Sequence, residues 1–201
     1  KYLFEKSELK NKKIYIVGKL KNDKIIFDKK KNRKSNKCLI IPEGIYSECL
    51  KLFKFSYECS LLNKNLEFIW RVHPVIDIKK VLLEMNLNFE NLPRNITISK
   101  EKNILKDIFK SKFALYRGSN AIIAAIKTGI IPIYLDTLNG PNIDLLRLYK
   151  KYNNYVINPK QLADLISTSS KMKKTNIEKL NKFINKNEYK INEKLILNSL
   201  R

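Results

Sequence analysis

A chain of 201 residues is long enough for one or two domains with a real core, and 44% hydrophobic with 10% aromatic residues points to a folded globular protein, not a disordered tail. No apolar run approaches the roughly 20 residues of a membrane helix, and no signal peptide is visible. The net charge of +22 invites a nucleic-acid reading, but lysine is spread along the whole chain among many Asn and Ile, the mark of an AT-rich genome more than of a dedicated surface. A basic face still favours phosphate-bearing donors or an anionic membrane surface. The three cysteines, Cys38, Cys49 and Cys59, are odd in number and lack metal-ligand spacing, which points to a reducing, cytoplasmic compartment and away from a disulfide framework or zinc site. The chain starts at Lys1, so an upstream segment is expected.

Residues 1–37 carry the weakest pattern. KKIYIVGKL and KIIFD read as a short hairpin turning at Asn22-Asp23, and the basic run 29–37 reads as a linker. From Cys38 strands and helices alternate. CLIIP (38–42) is a buried strand, followed by a turn at Glu43-Gly44 and a long helix over 45–62 with an apolar stripe at Cys49, Leu52, Phe53 and Cys59. LEFIWRV (66–72) is the second strand, and Pro74 stops its ladder. A helix over 77–85, a strand over 95–99 and a helix over 103–109 follow.

The segment 113–136 then reads strand, polar turn, short helix, strand. Ser119 is expected to cap the helix and Gly129 to close it. A Gly-Pro turn at 140–141, a helix over 143–151, a short strand at 155–158 and a helix from Pro159 complete the domain, 38–170. The tail 171–201 has helical spacing at Ile177, Leu180, Phe183 and Ile184. This alternation predicts an α/β fold with an open, mostly parallel, doubly wound sheet.

In such a sheet the loops after the strands emerge on one edge, where ligands bind. These loops are Pro42-Glu43-Gly44, Arg71-Val72-His73-Pro74, Ser99-Lys100-Glu101 and Arg117-Gly118-Ser119-Asn120. Their chemistry converges on a phosphate ester. Gly44 and Gly118 allow close backbone approach. Arg71 and Arg117 offer bidentate forks, provided that they turn outward. His73, the single histidine, can donate a hydrogen bond or a proton to phosphate. Ser119 and Asn120 open a helix whose N–H groups favour an anion.

Each residue also has a structural reading. His73 can be a turn residue before proline, Glu43 and Ser119 plain caps, Arg117 a solvated strand-end charge, and Lys100 and Glu101 surface. No G-x-G-x-x-G, Walker A sequence or strand-ending Asp-x-Asp is present, and one histidine leaves no His-based metal cluster and no assured Ser-His-Asp set.

The R-x-H-P sequence at Arg71–Pro74, followed by strand, Gly118-Ser119-Asn120, helix, Gly129 and a strand containing Pro132, resembles the donor-binding half of GT-B glycosyltransferases of bacterial surface polysaccharide synthesis. The resemblance covers about residues 38–170. It is nearest to the bacterial sialyltransferases and polysialyltransferases, which use CMP-sugars, and to the CDP-glycerol glycerophosphotransferases. By that resemblance His73-Pro74 matches the HP motif, whose histidine contacts the donor phosphate, and Gly118, Ser119 and Asn120 match the serine motif. Glu43-Gly44 only faintly matches an acidic-acidic-Gly motif, since Pro42 replaces one acid. Tyr116-Arg117-Gly118-Ser119 lacks the Asp and one Ser of the D-Y-S-S segment.

The resemblance implies one Rossmann-like half of a GT-B enzyme. It would transfer a sugar from a nucleotide donor, CMP-sugar favoured, to a surface glycan, without metal or cofactor. The implied partners are the donor, a glycan acceptor and a missing acceptor domain that supplies the general base, with the apolar tail from Thr175 free to pack against it, in the cytoplasm at the inner face of the membrane. A nucleotide-sugar epimerase of the same fold needs more acid and histidine groups than one His allows. A basic nucleic-acid module would want aromatics on an exposed strand, whereas Phe53, Phe68, Trp70, Phe113 and Tyr134 fall where cores want them.

Overall fold

The computed structural model describes residues 36–138, 140–147, 149, 154–168 and 174–187. The expected hairpin within 1–35 lies outside them. The chain divides into two compact units, 25–183 and a second formed by 1–24 with 184–201. The sheet and the site belong to the first unit.

The sheet contains β1 (Lys37–Ile41), β2 (Glu67–Trp70), β3 (Ile96–Ile98), β4 (Phe113–Tyr116), β5 (Ile131–Leu135) and β6 (Tyr155–Val156), in the order β3-β2-β1-β4-β5-β6. Every pairing is parallel. This is the Rossmann strand order, and the architecture is α/β. The helices are α1 (Tyr46–Leu62), α2 (Ile78–Glu84), α3 (Ile104–Lys110), α4 (Ala121–Lys127), α5 (Pro159–Thr168) and α6 (Lys174–Asn187).

The strands read as continuous apolar runs because helices cover both faces. Leu39, Ile40, Ala114, Leu115 and Ile133 have no exposed surface. The stripe on α1 packs against β1 and β2, with Phe53 stacked on Trp70 at 4.6 Å between ring centroids. Three tyrosines stand in register across the other side of the sheet: Tyr116 pairs with Tyr134, and Tyr134 with Tyr155. Their rings meet edge to face at 5.6 and 5.5 Å, and β4, β5 and β6 are locked together there.

The crossover from β4 to β5 ends as its glycine demands. Gly129 takes a left-handed conformation (φ 88°), its N–H donates to the Ile126 carbonyl, and the Ile130 N–H reaches back to Ala125. These two bonds make a Schellman closure that turns the chain directly into β5.

One expectation fails. The helix over 143–151 is absent among the described residues, where 145–147 form a turn. Asp144 is the reason. Its carboxylate accepts the Leu146 N–H (2.9 Å), a short hydrogen bond from the Tyr116 hydroxyl and one from Tyr155 (2.8 Å), so the segment is pinned to the tyrosine row. On α6, Ile177 and Leu180 are buried.

Candidate functional site

The strand order reverses between β1 and β4, so the crossover from β1 leaves in one direction and that from β4 in the other. The loops after these two strands splay apart, and the gap between them is the usual ligand crevice of such sheets. A cleft of about 440 Å³ opens there, walled by Pro42–Gly44 after β1, Arg71–Pro74 after β2 and Gly118–Ala121 at the start of α4, with Ile104 at its edge. Eight of the nine residues singled out from sequence (Glu43, Gly44, Arg71, His73, Pro74, Gly118, Ser119 and Asn120) therefore share one cavity. The loop Ser99–Glu101 does not line it.

Two glycines set how closely the walls approach. A Cβ on Gly44 would lie 3.0 Å from Cε1 of His73, so any larger residue would push the imidazole back from this loop by a few tenths of an ångström. Gly118 has φ +73°, and a Cβ there would lie 2.6 Å from a carboxylate oxygen of Glu43. The Glu43 carboxyl is thus laid flat against the Gly118 backbone, bridging the loops of β1 and β4.

The two arginines turn inward, contrary to the expectation of outward forks. Arg71 donates to Asp107 Oδ2 (2.7 Å) and to the carbonyls of Glu101 (2.8 Å) and Lys102 (3.0 Å). Asp107 also accepts from the Ser99 hydroxyl (2.6 Å). Arg71 lines the cleft with its fork engaged in holding the β3 loop.

Arg117 does not reach the cleft. It is fully buried, short hydrogen-bonded to Glu48 on α1, and donates to the Tyr134 hydroxyl (2.9 Å) and to the carbonyls of Leu135 (3.2 Å) and Pro141 (3.1 Å). A buried guanidinium must fill its donors, and here it ties α1 and the loop after β5 to the end of β4. Sequence reasoning missed Glu48, Asp107 and Asp144, the carboxylates that claim these groups. The available signal was an Asp within the apolar face of NILKDIF in a chain with 19 acids against 41 bases.

With both arginines engaged, the cleft's open donors are the histidine and the backbone. The Val75 N–H makes a long contact with His73 Nδ1 (3.4 Å), which leaves Nε2 to carry the proton and donate. Among the described residues no backbone acceptor takes the N–H groups of Ser119, Asn120 or Ala121. Asn120, not Ser119, occupies the cap position of α4, and its side chain makes no capping bond. The Ser119 carbonyl instead accepts from Ile122 (3.2 Å). Glu43 does not cap α1 either, whose cap position is Ile45.

The Glu43 carboxyl is held above its usual range, first by burial and then by the charge of Glu48, against a smaller opposing pull from Arg117. Burial works the same way on Glu48, but hydrogen bonds from Lys51 and Arg117 outweigh it and bring that carboxyl below its usual value. Among the described residues no group of three or more His, Cys, Asp or Glu side chains could hold a metal ion. No helix among them is long and apolar enough to cross a membrane.

No family model and no curated protein matches the chain. Among solved structures, the fold is similar to that of a protein described as the glycotransferase of kitacinnamycin, with a TM-score of 0.55 at 10% identity. The match covers 82% of this chain and 43% of that protein, so the chain spans under half of its neighbour's length. At this identity the likeness establishes a shared Rossmann-like fold.

Proposed function

We propose that the chain is the donor-binding half of a GT-B-type glycosyltransferase, carrying a nucleotide-activated sugar in the cleft between β1 and β4. The observation that supports this most is the gathering of His73 and the open N–H groups of Ser119, Asn120 and Ala121 around one cavity at the switch point. A fold shared with a glycosyltransferase of which the match covers 43% agrees with it.

In this reading the donor phosphate accepts hydrogen bonds from His73 Nε2 and from the Ser119–Ala121 amides, with the Ser119 hydroxyl beside them. As the sugar departs, negative charge grows on the phosphate, and these fixed donors stabilise it without reorganising. The mechanism needs no metal ion, and the general base for the acceptor comes from outside this chain. The favoured donor is a CMP-sugar and the favoured acceptor a surface glycan, at the inner face of the membrane, where the basic surface meets anionic lipid.

Calorimetric titration with CMP, CDP, UDP and GDP tests the reading. One nucleotide is expected to bind between micromolar and low millimolar. His73→Ala should weaken it about tenfold to a hundredfold, the worth of one hydrogen bond to a charged group, and Ser119→Ala by less. Binding of none, with salt-steep binding of RNA or DNA instead, would overturn the proposal.

A further inference from the structure

The cleft contains one group that the phosphate reading leaves without a role. Glu43 places a carboxyl in the wall of a supposed anion site, and its Oε1 is buried with no hydrogen-bond partner. A carboxylate there would repel a phosphate, and a buried, unpaired, ionised oxygen is costly in itself. The basic groups that could offset it are committed elsewhere: Arg117 to Glu48 and Arg71 to Asp107.

We infer that Glu43 binds phosphate esters as a neutral carboxylic acid, so that each ligand bound brings one proton onto its carboxyl. The inference rests on the phosphate-ester reading of the cleft and adds what that reading lacks, a reason for an acid in its wall. Protonation changes Glu43 from an acceptor that repels the ligand into an O–H donor. The carboxyl lies against Gly118, beside the Ser119–Ala121 amides, so the O–H can serve the oxygens of the same phosphate.

The charged and titratable groups around Glu43 are consistent with this direction. Glu48 on α1 disfavours its charge, and Arg117 at the end of β4 favours it more weakly than burial and Glu48 together oppose it. His73, after β2, rests on the neighbouring Gly44. No covalent step is involved: solvent gives up the proton as the ligand binds and recovers it on release. A cleft built this way holds its ligand more tightly as pH falls and loosens it as pH rises.

The test follows the Glu43 side-chain carboxyl by carbon-13 NMR, assigned by its loss in Glu43→Gln, over a pH titration. The probes are the methyl ester of CMP and inorganic sulfate, neither of which titrates between pH 5 and 8. Either probe is expected to raise the Glu43 midpoint by about one pH unit or more, a tenfold preference for the neutral form. Glu43→Gln, whose amide is a permanent donor, should hold the probe with unchanged affinity across that range.

A midpoint that stays put or falls in the presence of a bound probe overturns the inference, as does loss of binding in Glu43→Gln. If sulfate raises the midpoint and the CMP ester does not bind, the proton-coupled site stands and the CMP reading falls. If neither probe binds, the phosphate reading fails and the inference with it. The Glu43 response should persist in His73→Ala.

Discussion

Strand β2 and strand β4, on opposite sides of β1, are each followed by an arginine, yet the two arginines have different work. Arg71 keeps 20% of its side chain exposed, lines the cleft and bonds across to the β3 loop. Arg117 has no exposed surface, lies behind the cleft, and gathers α1, β5 and the loop after it. The difference is one of depth. A guanidinium at the cleft edge can trade a carbonyl for a ligand oxygen, whereas one enclosed in protein cannot move without breaking its bonds to Glu48, Tyr134, Leu135 and Pro141 together. On the β2 side, then, the arginine borders the site directly, while on the β4 side it holds the loop that carries Gly118 and Ser119.

That contrast is broken most directly at Arg117. Arg117→Met should lower unfolding stability by about 3–5 kcal/mol, the usual cost of orphaning a buried charge, read from urea denaturation. The pair Arg117→Met with Glu48→Met should recover much of the loss, because the carboxylate that faced the guanidinium is removed with it. A single-variant loss below about 1 kcal/mol would place Arg117 among the weakly coupled surface charges. Arg71→Ala should cost less, about 1.5–3 kcal/mol for its charge-assisted bonds, and should weaken nucleotide binding as well. If Arg71→Ala proved the more destabilising of the two, the assignment by depth would be wrong.

Gly118→Ala probes the loop that Arg117 supports. A left-handed backbone costs an L-residue about 1–2 kcal/mol, and the new methyl also collides with the Glu43 carboxyl. Adding Glu43→Ala should remove the collision and leave the backbone cost, so the double variant is expected to be more stable than the sum of the singles. Strict additivity, measured by the same denaturation, would mean that Glu43 does not rest on Gly118.

The fold and the cleft were legible in sequence for one reason, and the arginines illegible for another. Strands covered on both faces read as apolar runs such as CLII and FALY, and punctuation at Gly44, Pro74 and Gly118 marks where they end. Alternation with helices then fixes which ends share an edge, which is how Glu43, His73 and Ser119 could be brought together before any coordinates. Where a long side chain points depends instead on distant partners. Arg117 meets an acid 69 residues away, and Arg71 one 36 residues away, separations over which no local pattern carries information. The expected helix at 143–151 failed for the same reason. Its apolar spacing is real, but Asp144 binds Tyr116, 28 residues before it, and Tyr155, both outside the segment itself.

The smallest expected effect concerns the two neighbouring carboxyls that the Arg117 network treats differently. Glu48 is bonded by Lys51 and Arg117 and lies below its usual range, so its stabilising contribution is present above the unfolded pKa and is lost as pH falls through its folded value. Glu43 lies above its usual range, and the sign reverses. The folded state holds its proton more tightly than the unfolded state does, so Glu43 costs nothing at acid pH and becomes a burden as pH rises through its folded value. Glu43→Gln should therefore melt slightly higher than the parent at pH 7, by less than about 1 kcal/mol in stability because solvent screens a partly exposed group. The gap should close as pH drops into the carboxylate range. Parallel thermal melts of the two proteins between pH 4 and 8 check it. A Glu43→Gln protein less stable than the parent at pH 7 would mean that the ionised carboxyl is an asset to the fold, and that Arg117 reaches past Glu48 to govern both acids.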